Sequence, residues 1–321
     1  MSLVASVTTA RRVRASALAC LFACLALIAA MLALVVASPA AHAAYPGGDG
    51  RIAFVRSGQI FTMTAQGKDV TKLTSQGTNS NPKWSPDGER ISFIRELNGQ
   101  TDVFVMNAWG HQKRNVTKSG DVTSAGASWS PDGARLVFAR GTLQTIKSTA
   151  PFGKPTELLG LSVGGTCEDD EPHSVFMDRF ASWSPDGTTI AVFSHTDCEF
   201  DDRIDWYDVA SGELRFFNVS GADCCGYLRW TDLFWGPDGT FGFTERNTGD
   251  YGENVDAPTR IIYPGFGSLD GDFQAAPSPS GRFFALVNDS TGAHKIIRAK
   301  ADGTGRKVLT TGTQPDWQPR N

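Results

Sequence analysis

From about residue 50 onward the chain is punctuated by short apolar runs. They read Arg51-Ile-Ala-Phe-Val55, Ile91-Ser-Phe-Ile94, Leu136-Val-Phe138, Ile190-Ala-Val-Phe193, Phe241-Gly-Phe243 and Phe283-Phe-Ala-Leu-Val287. Each is too short for a helix, is rich in β-branched and aromatic residues, and is bounded by Gly, Pro, Asn or Asp, which predicts central β-strands. Turn residues follow, as in Leu97-Asn-Gly-Gln100 and Asp289-Ser-Thr-Gly292. Then comes a further strand, Asp102-Val-Phe-Val-Met-Asn107 or His294-Lys-Ile-Ile-Arg-Ala299. A second turn leads to a short polar strand, Lys72-Leu-Thr74, Asn115-Val-Thr117 or Val308-Leu-Thr310. No stretch beyond residue 43 carries helical periodicity of useful length, so the pattern predicts an all-β chain.

One motif precedes each central run. It reads Trp84-Ser-Pro-Asp-Gly88, Trp129-Ser-Pro-Asp-Gly133, Trp183-Ser-Pro-Asp-Gly187 and Trp235-Gly-Pro-Asp-Gly239, with weaker copies at Pro46-Gly-Gly-Asp-Gly50 and Pro277-Ser-Pro-Ser-Gly281. Successive copies lie 38, 45, 54, 52 and 42 residues apart, the period of a four-stranded propeller blade and not of a helical repeat. Pro presets φ for a turn, Asp bonds back to its own backbone, and Gly takes the left-handed conformation. The motif is therefore expected to be a hairpin joint, its Trp packing between neighbouring blades for about 1.5–3 kcal/mol when buried.

The two ends of the array complement each other. The first copy has no Trp, while Pro315-Asp-Trp317-Gln-Pro319 resembles the opening of a seventh motif. The predicted fold is a six-bladed β-propeller of four-stranded blades over 44–321, with blades starting near residues 46, 81, 126, 181, 232 and 273. A closing strand at 314–318 completes the first blade and removes open sheet edges.

Residues 1–43 predict an export signal. Arg11, Arg12 and Arg14 precede an uncharged apolar run from Ala15 to Ala37, and Ala41-His42-Ala43 offers a small-x-small cleavage site. An uncleaved membrane anchor is the alternative, because the run is long enough to span a bilayer. The full chain has a formal net charge of -4, and the segment removes three Arg and no acid, leaving -7. Nucleic acid and anionic membrane surfaces are thereby disfavoured as partners. Cys167, Cys198, Cys224 and Cys225 remain, an even number in an exported chain, which predicts two disulfides with three possible connectivities.

Pro-x-Trp-Ser-Pro-Asp-Gly, an apolar strand, Asp-x-Phe-Val-Met-Asn and then Leu-Thr together resemble the WD-repeat-like β-propeller repeat of TolB and its relatives. The likeness covers essentially all of residues 45–321, loosely over Asp232 to Asp272. It implies the fold strongly and the activity hardly at all. TolB carries an α/β domain ahead of its propeller, whereas only Ala44 to Gly48 separate the expected cleavage site from the first blade. The resemblance is to the propeller alone, and the Tol-Pal role of TolB is not carried over.

Enzyme chemistry has thin support. Gly265-Phe-Gly-Ser-Leu269 lacks the spacing of a nucleophile elbow, and His111, His173, His195 and His294 show no ligand spacing. Two acidic inserts interrupt the repeat, Cys167-Glu168-Asp169-Asp170-Glu-Pro-His173 and Asp197-Cys198-Glu-Phe-Asp201-Asp202. A Cys167–Cys198 bridge would bring their carboxylates together as oxygen ligands for Ca²⁺; a solvated acidic surface is the plainer reading. A Ca²⁺ titration is expected to raise the melting temperature if the clusters bind, and no shift at millimolar metal would remove the candidate. A third insert, Ser220 to Leu233, places Tyr227 and Trp230 beside Cys224-Cys225, either as a contact surface or as a cover over a blade junction. The expected function is a non-catalytic extracytoplasmic scaffold, secreted or envelope-facing. Its partner would be another protein or an envelope-associated ligand, at a channel mouth or on the inserts. A propeller hydrolase or lyase and a structural envelope component are the alternatives.

Overall fold

The apolar runs become the second strands of six sheets. The computed structural model describes residues 47–123, 126–159, 162–166, 172–176, 180–196, 203–217, 228–247 and 259–320. Blade 2 shows the plan: Thr78–Trp84, Arg90–Leu97, Gln100–Asn107 and Arg114–Asn115 follow one another as antiparallel neighbours. Blade 3 repeats it with Ser128–Trp129, Arg135–Arg140, Thr142–Lys147 and Thr156–Leu159. Blade 6 does so with Asp272–Pro277, Phe283–Asn288, Lys295–Lys300 and Lys307–Thr311.

Blade 1 joins the two ends of the array. Thr313–Arg320 pairs antiparallel with Gly48–Arg56, which continues to Gln59–Met63 and Thr71–Lys72. Ile52 faces Trp317 and Ala53 faces Asp316 across that seam. Gln318 ties it on both sides, accepting from the backbone N of Arg51 at 3.1 Å and donating to the carbonyl of Gly88 at 2.8 Å. Gly88 has φ +67 and its backbone lies against the Pro319 carbonyl, so any side chain there would be both strained and obstructed. Asp49 meanwhile accepts from the backbone N of Ser280 at 3.0 Å and from its hydroxyl at 2.9 Å, so blade 1 caps the degenerate motif of blade 6.

Blade 4 carries more than the usual four strands. Ala181–Trp183, Thr189–Thr196, Arg203–Asp208 and Leu214–Phe217 form the usual sheet. A hairpin of Ser162–Thr166 and Pro172–Phe176 extends it, pairing Val175 with Thr196 and Phe176 with His195. The alternation in Ser174-Val-Phe176 suits a strand, and the long second strand leaves backbone groups for it to pair with. Blade 5 has Leu228–Trp235, Phe241–Asn247 and Thr259–Ile262 among the described residues.

Six apolar clusters sit at the six blade junctions, not inside the blades. Trp84 packs with Ala53, Ile60 and Leu73 of blade 1, and Trp129 with Ile94, Val103 and Val105 of blade 2. Trp183 meets Val137 and Leu143, and Trp235 meets Ala191, Phe193 and Ile204. Phe234 joins Phe284 and Leu286, and Trp317 closes the circle against Ala276, Ala285 and Ile296. A sheet too thin to bury both faces alone is thus stabilised by its neighbours.

Buried carboxylates lock the turns. Asp102, 6% exposed, accepts from Asn115 Nδ2 at 2.8 Å, Thr117 Oγ1 at 2.7 Å, and the backbone N of Ser119 at 2.8 Å and Gly120 at 3.0 Å. Burial pushes its carboxyl up, but these four donors outweigh it and hold the group below the ordinary 3.8. Folding therefore favours the charged form, a contribution complete above the free carboxyl's pKa and lost as pH falls through the folded value. Asp102→Asn is expected to cost about 2 kcal/mol at neutral pH, since hydrogen bonds to a charged group are lost. Its deficit should shrink as pH drops below about 4, where the carboxyl of the unfolded wild-type chain begins to take up its proton; a deficit independent of pH in acid melts would contradict this.

Candidate functional site in the central channel

The motif itself has no free chemistry. In blade 2, Ser85 Oγ donates to Asp87 Oδ1 at 2.5 Å and accepts from the backbone N of Arg90 at 2.9 Å, while Asp87 accepts from the backbone N of Glu89 at 3.0 Å. Blades 3 and 4 repeat this, with Ser130 and Asp132 at 2.5 Å and Ser184 and Asp186 at 2.7 Å. Gly88, Gly133, Gly187 and Gly239 have φ of +67, +66, +74 and +82. For Asp87 and Asp186, burial raises the carboxyl, but the Ser hydroxyl and backbone bonds together lower it below 3.8, keeping it an anionic acceptor. The Ser hydroxyls and the Asp Oδ1 atoms of these three turns are thus engaged within the turns.

The Trp side chains are committed to the junctions in the same way. Trp84 and Trp129 are each 1% exposed. Trp129 Nε1 donates to the Lys83 carbonyl at 3.0 Å and Trp235 Nε1 to the Ser182 carbonyl at 3.1 Å, each reaching the preceding blade. Arg90 covers the Trp129 ring at 4.7 Å and donates to the Gly133 carbonyl at 3.1 Å.

Immediately before each motif the inner strand lines a cavity of 130 Å³ in the channel. Three residues ahead of the Trp position stand Gln314, Asn81, Gly126, Phe180, Asp232 and Gln274, for blades 1, 2, 3, 4, 5 and 6. Sheet register shifts at this point in blades 2 and 6, and Asn81, Gln274 and Gln314 have φ of +47, +51 and +54. Such values are uncommon outside Gly, with Asn among the better-tolerated residues. Hydrogen bonds hold them in place. Gln314 Oε1 accepts from the backbone N of Asn81 at 2.8 Å, Gln274 Oε1 from that of Gln314 at 2.9 Å, and Thr244 Oγ1 from that of Gln274 at 3.2 Å.

Only an amide oxygen can accept, so these bonds fix which way each Gln amide is turned. The Nε2 groups of Gln274 and Gln314, and both polar side-chain atoms of Asn81, have no protein partner among the described residues. One residue before the Trp position, Lys83 Nζ lies 3.3 Å from Asp316 Oδ1, and Asp316 Oδ2 accepts from the backbone N of Trp84 at 2.7 Å. Burial pushes the Asp316 carboxyl above 3.8, opposed by the Lys83 charge and the Trp84 bond. Ser128 and Ser182 occupy the equivalent place in blades 3 and 4, and Ser128 Oγ accepts from the backbone N of Trp183 at 3.0 Å. The carboxamides thus gather in blades 6, 1 and 2, with Phe180 and Phe234 in blades 4 and 5 of the same cavity.

Sequence reading missed this ring. Its signal was a fixed offset, Asn81-Pro-Lys-Trp84 and Gln314-Pro-Asp-Trp317, just upstream of the motif. The structure brings together the motif glycines and tryptophans around the ring. The acidic-insert candidates Glu168, Asp169, Asp170, Asp201 and Asp202, and Cys167, Cys198, Cys224 and Cys225, lie outside the described residues, as do Tyr227 and residues 1–43. His111 donates its backbone N to Asn107 Oδ1 at 2.8 Å, and the His294 ring meets Phe273 edge-on at 5.6 Å; neither lines the cavity. Among the described residues no group of three or more His, Cys, Asp or Glu side chains could hold a metal.

Known proteins of similar form agree with this architecture. TolB from Acinetobacter baumannii superposes with a TM-score of 0.64 at 17% identity, over 85% of this chain and 68% of that one. A TolB-type protein from Agrobacterium tumefaciens gives 0.52 at 17% identity, over 83% and 92%. A chain of the nidogen/laminin complex gives 0.56 at 8% identity, over 84% and 98%. Identities this low establish shared fold alone. Residues 40–197 match the family described as the TolB beta propeller domain, and with six blades closed by the C-terminal strand the chain has the six-bladed β-propeller fold seen in these TolB structures.

Proposed function

We propose that this propeller is an extracytoplasmic binding scaffold that receives its partner, a protein or an envelope-associated ligand, at the central channel. The observation that carries this reading is the set of carboxamide donors of Gln274, Gln314 and Asn81, held at the cavity with no protein partner among the described residues. Lining the channel, these groups are available to water or to a ligand that supplies acceptors. The export signal expected from the sequence of 1–43 and the likeness to TolB support a secreted or envelope location. The nidogen/laminin match supports the idea that this fold can serve protein association.

Ser182→Arg tests the reading. Its side chain enters the cavity while its carbonyl still serves Trp235. A partner recovered from an envelope fraction by the mature wild-type protein is expected to be lost from this variant, at an unchanged melting temperature. Equal recovery by both would contradict channel recognition.

A further inference from the structure

We infer that the channel binds one neutral sugar ring, through the carboxamides of Gln274, Gln314 and Asn81 on one side and Phe180 on the other. This rests on the binding reading above and names the chemistry of its ligand. Size comes first. At 130 Å³ the cavity is far below the roughly 300–1,000 Å³ of drug-sized pockets and close to the roughly 150 Å³ that encloses one benzene ring. That is the scale of a single six-membered ring.

Charge comes second. Lys83 and Asp316 cancel each other at 3.3 Å, and Asp232 lines the same cavity, so the site has no excess positive charge with which to hold an anion. Hydrogen-bonding character is the third constraint. The available groups are the NH₂ donors of three carboxamides, the Asn81 carbonyl oxygen and the Ser182 hydroxyl, a mixture of donors and acceptors. Vicinal hydroxyls, each able to donate and accept, match such a set; a carboxylate, which only accepts, leaves the Asn81 oxygen unmet.

Shape completes the argument. In a six-blade ring blade 4 stands opposite blade 1, which puts Phe180 across the channel from Gln314. Phe180 is half-buried, braced edge-on by Phe193 at 5.8 Å. An aromatic side chain in the same cavity as amide donors suits a pyranose, which offers C–H groups on its face and hydroxyls around its edge. Gly126, lying between Asn81 and Phe180 in ring order, adds no side chain to narrow the space.

The test is calorimetric titration of the mature protein with D-glucose, D-galactose and N-acetyl-D-glucosamine, with sodium acetate and glycerol as controls. At least one sugar is expected to saturate, and neither control to do so. Gln314→Glu keeps an oxygen for the Asn81 N–H but removes the NH₂ group, and Phe180→Ala removes the aromatic face. Each is expected to weaken binding about tenfold or more, equivalent to about 1.4 kcal/mol, with melting temperatures confirming that both variants fold. A glycan ending in the preferred unit, titrated in parallel, separates a free sugar from a terminal residue of a polymer; saturation by either supports the inference. Saturation by acetate, by no sugar, or by a sugar whose affinity both variants retain would overturn it. In those cases a protein partner still lost on Ser182→Arg would leave the binding scaffold standing and the sugar alone refuted.

Discussion

Deleting residues 313–321 is expected to abolish cooperative folding, leaving a protein that binds hydrophobic dyes and shows no sharp thermal transition. The segment carries Trp317, 4% exposed against Ala276, Ala285 and Ile296, and removing a buried Trp side chain costs about 3–5 kcal/mol. It also carries Gln314, Asp316 and Gln318, which bond to the backbones of Asn81, Trp84, Arg51 and Gly88. At about 1 kcal/mol each these bonds add roughly 4. The sum approaches the roughly 5–15 kcal/mol that holds a whole domain together. Deletion also bares the edge of Gly48–Arg56 between two blades, inviting intermolecular pairing. The same segment supplied in trans as a peptide should restore a transition; a truncated chain that melts like wild type would contradict closure by the C-terminal strand.

Trp129→Ala is expected to produce the second-largest effect. The ring is 1% exposed, lies across the junction of blades 2 and 3, is covered by Arg90 at 4.7 Å and donates to the Lys83 carbonyl at 3.0 Å. Truncation leaves a cavity and an unmet carbonyl, costing about 3–5 kcal/mol. For a domain of this size each kcal/mol is worth about 2–4 °C, so the melting temperature should fall by roughly 6–20 °C. Trp109, 70% exposed in the blade 2 turn, is the matched control, and Trp109→Ala should leave the transition in place. Equal melting points for Trp129→Ala and wild type would contradict a junction role for the motif.

The fold was legible because its determinants are local and periodic. Turn chemistry at Trp-Ser-Pro-Asp-Gly and the β-branched runs after it mark each second strand, and the unfinished motif at Trp317 reveals how the ring closes. Two features were less accessible. Strand ends extend beyond the apolar runs, as where Ile91 to Ile94 grows into Arg90–Leu97, because backbone pairing continues past the buried residues. The hairpin on blade 4 appeared in sequence as an acidic insert, since its charges lie at 168–171, between two strands whose own signal is weak.

The channel ring was harder still. Nothing in Asn81 or Gln314 alone distinguishes a ligand-facing amide from a surface one. Their significance arises only when six strands, separated by up to 233 residues, present the same offset to one axis. Left-handed φ at Asn81, Gln274 and Gln314 is the local sign of that arrangement, since a strained backbone is kept where the surrounding structure over-determines it. Propensity for extended structure cannot reveal it, because the hydrogen bonds that stabilise it come from neighbouring blades.

The side-chain NH₂ resonances of Gln274, Gln314 and Asn81, assigned by comparison with single-site variants, report on this ring directly. Saturation with the channel ligand is expected to shift all three and slow their exchange with water, while the motif turns around Asp87, Asp132 and Asp186 stay unmoved. Saturable binding that leaves the three carboxamides unshifted would contradict the central claim that recognition occurs in the channel and that the repeated motif serves only to build it.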